Sequence, residues 1–562
     1  MTDIDRARIE YERWLSSEHI DSQLHRELIS ISGDNKAILD RFWRDLAFGT
    51  GGLRGIMGTG TNRMNEPVVR QATQGLADYV KANSGISVCI AYDTRHFSRE
   101  FATFAAETLC ANGIKVLMFR NARPTPMLSF AIREKKAFAG IVITASHNPS
   151  DYNGYKVYGA DGGQITDSAS EKISEHIKSH DVLAEHLKMH LDDAHENGLF
   201  FDLDDIEAQY YYKVKTLPIR KGVLQENAKN LRILYTPLHG TGNIPVRRVL
   251  GELGFIDLTV VKEQEHPDGC FPTVRSPNPE EPEAFELALK KTQEQVFDII
   301  LATDPDCDRI GVCVNDGTGC YALLSGNQVG ALLCDYIIAA KIEDGSIGNR
   351  PAVIKTIVTT ELVRNICDEN GVALIDVLTG FKYIGEKISE WEHSGEYSFL
   401  FGFEESYGFL TGDFVRDKDA VIAAALICEM ALYYKLSGLT LKDALNDLHT
   451  RYGYTNERLV SLTLEGQGGK ERIAAIMEQL RTSSLSDISG KKIVAVEDYM
   501  DSLNGLPKSD VIKCYFADES WLAARPSGTE PKLKFYFGAT GESRTHVEMS
   551  LNEIEAIVRT FS

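Results

Sequence analysis

Ala139-Gly140-Ile141-Val142-Ile143-Thr144-Ala145-Ser146-His147-Asn148-Pro149 is the stretch on which the reading turns. Its first five residues are apolar, rich in β-branched side chains and followed by turn formers, as in a short buried strand. Such a strand delivers Ser146 onto a loop, where a hydroxyl can meet a substrate. Taken alone, Ser-His-Asn-Pro also reads as a plain turn. The surrounding chain has to decide between the two.

Upstream, Ser87 to Tyr92 reads as a strand ending in Asp93-Thr94-Arg95, Ser98 to Asn112 as a helix, and Lys115 to Phe119 as the next strand. This alternation predicts an α/β layer architecture with a largely parallel sheet. Sites in such sheets lie at the carboxyl ends of strands, where Ser146 falls. The pattern restarts twice. Leu231 to Tyr235 leads into Thr236 to Gly240, and Phe297 to Leu301 leads into an acidic loop. Ala352 to Lys355 and Tyr397 to Phe401 flank a further helical unit. From about Tyr452 the strands Ile493 to Val496 and Lys532 to Phe537 look antiparallel and half-exposed.

A chain of 562 residues exceeds one core. Boundaries are expected near 203, 318 and 448, giving segments 1–203, 204–318, 319–448 and 449–562; the acidic, irregular His180 to Asp205 suits the first junction. Residues 1–45 read as helical, with Ile20, Leu24 and Leu28 on one face. Hydrophobic residues make up 43% and charged residues 25%, as in a globular protein, and the net charge of -21 argues against nucleic acid or an anionic membrane as partner. Ten scattered cysteines without a Cys-x-x-Cys pair point to reduced thiols and a cytoplasmic setting. Met1 to Arg6 shows no apolar signal core. The longest apolar run, Ala420 to Tyr434, is interrupted by Glu429 and too short to span a bilayer, so a buried helix is expected.

Four more loops carry chemistry. Phe48 to Gly55 is glycine-rich with Arg54 inside it, which suits an anion or simply a flexible loop. In Asp304-Pro305-Asp306-Cys307-Asp308-Arg309, residues i, i+2 and i+4 share one face of an extended chain, so three carboxylates converge and call for a hard divalent cation. An EF-hand is not matched, because Arg309 stands where the loop needs glycine. A solvated acidic loop is the plain alternative. Gly402 to Gly408 offers Glu404, Glu405 and Ser406 to sugar hydroxyls, or is a simple turn. Arg525-Pro526-Ser527-Gly528-Thr529 can wrap a phosphate through side chains and amides. Neither a nucleotide P-loop nor a Gly-x-Ser-x-Gly elbow is present.

Together, and in this order, the loops at 144–149, 304–309, 404–406 and 525–529 resemble the four signatures of the α-D-phosphohexomutase family. Thr379 to Lys382 and the run Pro272 to Pro282 look most like its phosphoglucomutase and phosphopentomutase-like branch. The resemblance implies four domains around a cleft, three of related mixed α/β fold and a smaller α+β fourth. It implies Ser146 as phosphoserine, and Asp304, Asp306 and Asp308 holding one Mg²⁺ with a phosphoserine oxygen. Lys156 would be a general acid/base, Lys382, Arg54 and His147 further active-site groups, and Arg309, Glu404, Ser406, Arg525, Ser527, Gly528 and Thr529 substrate contacts. The implied reaction is reversible conversion of glucose 1-phosphate and glucose 6-phosphate through glucose 1,6-bisphosphate, in a monomer or homodimer. A phosphopentomutase, a sugar-bisphosphate synthase and a non-catalytic regulator are the competing readings.

Overall fold

The computed structural model describes residues 2–49, 51–464, 467–482, 487–488, 491–527 and 532–561. Four sheets follow one another along the chain. The first contains β1 (Gly52–Ile56), β2 (Ser87–Tyr92), β3 (Lys115–Met118), β4 (Ala139–Ile143), β5 (Tyr152–Gly159) and β6 (Phe200–Asp202), in the order β1-β5-β4-β2-β3-β6. The second contains β7 (Ile233–Thr236), β8 (Leu258–Val260), β9 (Ile299–Thr303), β10 (Ile310–Asn315) and β11 (Tyr321–Leu324), in the order β11-β10-β9-β7-β8. The third contains β12 (Pro351–Thr356), β13 (Ala373–Val377), β14 (Ser398–Glu404) and β15 (Gly408–Leu410), in the order β13-β12-β14-β15. The β10–β11 hairpin carries the second sheet past position 318.

The first three sheets repeat one device. A parallel pair, β2·β4, β7·β9 or β12·β14, is extended by an antiparallel strand, β5, β10 or β15. The largely parallel sheet expected from the alternation is therefore mixed. The reason is loop length: the loops after β4, β9 and β14 are too short for a parallel crossover, so the chain must turn back beside the strand it has left. Each turn-back exposes a loop at the carboxyl end of a buried strand. All five residues of β4 and of β9 are buried, as continuous β-branched and apolar runs require.

The fourth sheet is antiparallel throughout. It comprises β16 (Tyr454–Thr463), β17 (Asp487–Ile488), β18 (Lys491–Asp498), β19 (Ile512–Phe516), β20 (Trp521–Pro526) and β21 (Lys532–Gly541), in the order β16-β21-β20-β19-β18-β17. An apolar seam of Ile357, Val358 and Leu378 against Trp521, Ala523 and Tyr536 packs it on the third unit.

Helix Ala420–Leu436 is buried along nearly its whole length, as expected from its sequence. Asp419 caps it, and the interrupting Glu429 accepts from the backbone N–H groups of Ile219 and Arg220. A buried carboxylate is tolerated there because it has donors. No single helix among the described residues is long and apolar enough to cross a membrane. Two further expectations change. The N-terminal segment is three helices, Asp3–Leu15, Ser22–Ser30 and Asn35–Phe42, and Ile20 lies before the second, because Asp21 caps that helix. The glycine-rich stretch is an edge strand from Gly52 onward. A Cβ on Gly52 would stand 2.2 Å from the Tyr155 carbonyl oxygen, so glycine serves strand packing there.

Candidate active site

Ser146 is buried at the carboxyl end of β4 with φ +52°, a left-handed conformation that costs a non-glycine residue energy. The turn is held from beneath by Arg95. One guanidinium nitrogen donates to the Ser146 and Asn148 carbonyls, the other to Pro149 at 2.8 Å and Tyr152 at 3.2 Å. Asp93 in turn faces Arg95 Nε at 3.3 Å and accepts from Thr144 Oγ1 and Ser98 Oγ, both at 2.6 Å. Four backbone carbonyls thus converge on one buried cation, which fixes where the Ser146 hydroxyl points.

That hydroxyl donates to Asp304 Oδ2 at 2.8 Å and lies 3.2 Å from His147 Nδ1. Asp304, Asp306 and Asp308 follow β9, are all buried, and have carboxylate oxygens within 4.8 Å of one another. Burial, and then the charges of Asp308 and Asp306, push the Asp304 carboxyl well above the usual range. Burial acts the same way on Asp306, but Lys156 and Lys418 outweigh it and hold that group below its ordinary value. Lys156 Nζ is 3.2 Å from Asp306 Oδ2, Lys418 Nζ is 2.9 Å from Asp308 Oδ2, and Thr125 Oγ1 donates to Asp306 at 2.9 Å. Asp306 Oδ1 and Asp308 Oδ1 remain buried without a hydrogen-bond partner. Buried oxygens of that kind need a cation, and three convergent carboxylates fit a hard divalent one.

His147 is kept neutral: burial, then the nearby Arg309 and Arg54, lower its pKa well below 6.5. Arg54, on β1, reaches Asn148 Oδ1 at 3.1 Å. The run after Pro272 docks on both loops, since Ser276 Oγ donates to the His147 carbonyl at 2.5 Å and Glu280 pairs with Arg309 at 2.6 Å.

Glu404 ends β14, buried, and burial raises its pKa against the opposing fields of Lys418 and Arg309. Ser406 sits half-buried in the turn before β15. Glu405 accepts from Thr356 and Thr359, at 3.0 and 3.1 Å. Lys382 opens helix Phe381–Ser394 and pairs with Asp167 at 2.7 Å, tying the third unit to the first. Arg525 is the penultimate residue of β20, and the Ser527 amide donates to the Lys532 carbonyl at 2.8 Å. Gly528 and Thr529 lie outside the described residues. Burial, then Arg525 and Arg309, depress the pKa of Lys534, while Glu280 and Glu405 oppose them. The fourth unit's cations therefore share one electrostatic neighbourhood with the Glu404 loop and Arg309.

Sequence reasoning missed Asp93, Arg95, Thr125, Lys418 and Lys534. Lys418 had a signal: Arg416-Asp417-Lys418-Asp419 packs four charges against an apolar helix, and all four are buried.

Known family descriptions match four successive stretches of the chain. The description phosphoglucomutase/phosphomannomutase, alpha/beta/alpha domain I fits residues 45–183, domain II 208–317, domain III 325–452 and the C-terminal domain 484–549. The chain belongs to the phosphoglucomutase/phosphomannomutase family. It is therefore a mutase of the isomerase class, an α-D-phosphohexomutase of four units, three of them mixed α/β. The phosphoglucomutase of Staphylococcus haemolyticus (strain JCSC1435) is 38% identical over 524 residues, covering 91% of this chain and 93% of that protein. A phosphoglucomutase/phosphomannomutase family protein from Burkholderia thailandensis shares the fold with a TM-score of 0.66 at 18% identity, over 92% of this chain and 97% of that one. The N-acetylphosphoglucosamine mutase of Aspergillus fumigatus, solved with GlcNAc-6P and magnesium, matches with a TM-score of 0.53 at 15% identity, over 92% and 96%.

Proposed function

We propose that this phosphohexomutase interconverts α-D-glucose 1-phosphate and glucose 6-phosphate through a phosphate carried on Ser146. The observation that carries the reading is the 2.8 Å contact of the Ser146 hydroxyl with Asp304, in a strained turn held by Arg95, in a carboxylate cluster that keeps two buried oxygens without a hydrogen-bond partner. A hydroxyl so held is placed for covalent phosphate transfer.

Asp304, Asp306 and Asp308 are the residues that would hold Mg²⁺, the ion present in the Aspergillus relative's structure. When bound, the ion would neutralise charge on the transferring phosphoryl group and its leaving oxygen. The chain's own residues do the rest. Arg525 and Ser527, with Gly528 and Thr529, grip the phosphate already on the sugar. Glu404 and Ser406 take sugar hydroxyls, and Arg309 neutralises anionic charge beside them. The free sugar hydroxyl then attacks phosphorus as the bond to Ser146 Oγ breaks, and the Lys156 ammonium gives a proton to the departing serine oxygen and takes the sugar hydroxyl's in its place. Glucose 1,6-bisphosphate turns over in the cleft, and its other phosphate returns to Ser146 as Lys156 relays the serine proton to the departing sugar oxygen. Arg54 and the neutral His147 keep the serine loop in place, and Lys382 works at the seam of the first and third units.

The test is turnover on hexose and pentose phosphates by wild type and Ser146→Ala. We expect hexose phosphates to win, the wild type to carry one phosphate at Ser146 by peptide mass mapping, and Ser146→Ala to lose turnover. Faster turnover of ribose phosphates would make the chain a phosphopentomutase. Normal turnover by Ser146→Ala would overturn the mechanism.

A further inference from the structure

His96, Asp268 and Cys270 have no place in the sugar-phosphate site, yet they meet where the first and second units touch. Their ligating atoms lie within 4.8 Å of one another, and His96 Nε2 is 3.0 Å from Cys270 Sγ. His96 belongs to the loop after β2, one residue beyond Arg95; Asp268 and Cys270 belong to the loop beyond β8.

These two loops are pinned together by other contacts, so the three side chains do not meet by chance of rotamer. Gly269 passes so close to His96 that a Cβ there would stand 2.4 Å from the His96 amide nitrogen. Phe271 is buried with the Arg95 guanidinium 4.9 Å over its ring. Asp268 Oδ1 accepts from the Cys270 amide at 2.9 Å, which sets carboxylate and thiol on one tight turn. Backbone packing thus orders the ligand set in advance, as a metal site requires.

We infer that His96, Asp268 and Cys270 form a second cation site, one for a thiophilic divalent metal such as zinc. An imidazole, a carboxylate and a thiolate are the donors zinc takes, with a solvent molecule completing a tetrahedron. The Asp304, Asp306 and Asp308 cluster offers oxygen alone and suits a hard cation, so ligand chemistry sorts the two ions. Zinc at the surface site bridges the first and second units. It closes on the loop whose Arg95 holds the Ser146 turn, and whose His96 carbonyl accepts from Asn153 at 2.9 Å. Binding displaces the thiol proton to solvent, so affinity rises with pH.

The test is a cobalt(II) titration of the full chain in excess Mg²⁺. Cobalt bound by a thiolate gives a near-ultraviolet charge-transfer band that oxygen ligands cannot give. The wild type should develop the band to a one-to-one ratio and lose it when zinc is added. Cys270→Ser should abolish it, and His96→Gln should weaken cobalt binding by at least about tenfold, since even outer-sphere partners contribute that much. Cys320→Ser, which removes the other exposed thiol, should leave the band intact. Circular dichroism on the same samples establishes that each variant is folded. No band in folded wild type, or a band that survives Cys270→Ser, overturns the inference.

Discussion

Arg525 stands directly opposite Lys534 in the β20–β21 ladder, two cations in one cross-strand pair. Like charges so placed destabilise a sheet. Burial together with Arg525 and Arg309 already depresses the Lys534 ammonium. An anion between the strands and the hairpin mouth would relieve that repulsion, and the proposed sugar phosphate would supply one. Arg525→Ala should therefore raise KM by one to two orders of magnitude, from charge-assisted bonds of about 1.5–3 kcal/mol. Its melting temperature should hold or rise, because a repulsion is removed. Arg525→Lys should recover only part, lacking the fork. A purely structural Arg525 predicts the reverse pattern, lower stability with unchanged substrate dependence.

Arg95 carries a different expectation. Its side chain and that of Asp93 are fully buried, and it satisfies four carbonyls of the Ser146 turn. Arg95→Met strands the Asp93 charge and those carbonyls, so unfolding free energy should fall by roughly 3–5 kcal/mol. Denaturant titration measures this. A loss within experimental scatter would mean that the turn holds itself.

How much of this was legible in the sequence depended on how local each signal was. β2 and β4 were readable residue by residue, because buried strands are short apolar runs with turn formers at their ends. The four loops stood out by composition, although those at 144–149, 304–309 and 402–408 each read singly also as a turn or a solvated loop. Sheet order did not, since the same run pairs parallel or antiparallel according to loop length and partners far along the chain. Arg95 looked like the tail of a strand, and only the fold shows that Pro149 and Tyr152 return to it. Lys534 lay inside a strand read only as half-exposed; its meaning lies in the strand opposite. The glycine-rich run Phe48 to Gly55 suggested an anion loop or a flexible one, whereas Gly52 is needed because β5 passes too close for a side chain.

His147 supplies a pH prediction. Burial and then Arg309 and Arg54 lower its pKa in the folded protein, while in the unfolded chain it titrates near 6.5. Below that value the unfolded state binds a proton that the folded state refuses. The stability contributed by the neutral ring is full above about pH 6.5 and is lost as pH falls toward the folded pKa. His147→Gln cannot titrate, so its melting temperature should decline less steeply than wild type between pH 6.5 and 5. Parallel pH curves for the two proteins would show that the ring titrates normally in the fold.

The Asp304, Asp306 and Asp308 cluster predicts how metal, pH and stability are linked. Burial and its two neighbours raise the Asp304 carboxyl, so without a cation the cluster retains a proton that a metal must displace. Mg²⁺ affinity should then climb with pH until Asp304 would ionise unaided, and binding should release protons into weakly buffered solution. A cation that binds only the folded state stabilises it by about 2.7 kcal/mol at a hundred times Kd, so Mg²⁺ should raise the melting temperature and chelator reverse the gain. Turnover should disappear with chelator. Asp306→Asn keeps the shape and the bond from Thr125 but removes one anionic ligand, so it should bind Mg²⁺ more weakly and shift less in melting temperature. Lys156 and Lys418, which face the cluster at 3.2 and 2.9 Å, lose part of their counter-charge in that variant. A melting temperature and a turnover rate both indifferent to Mg²⁺ and to chelator would remove the metal from this site and leave Lys156, Lys418 and Arg309 to compensate its charge.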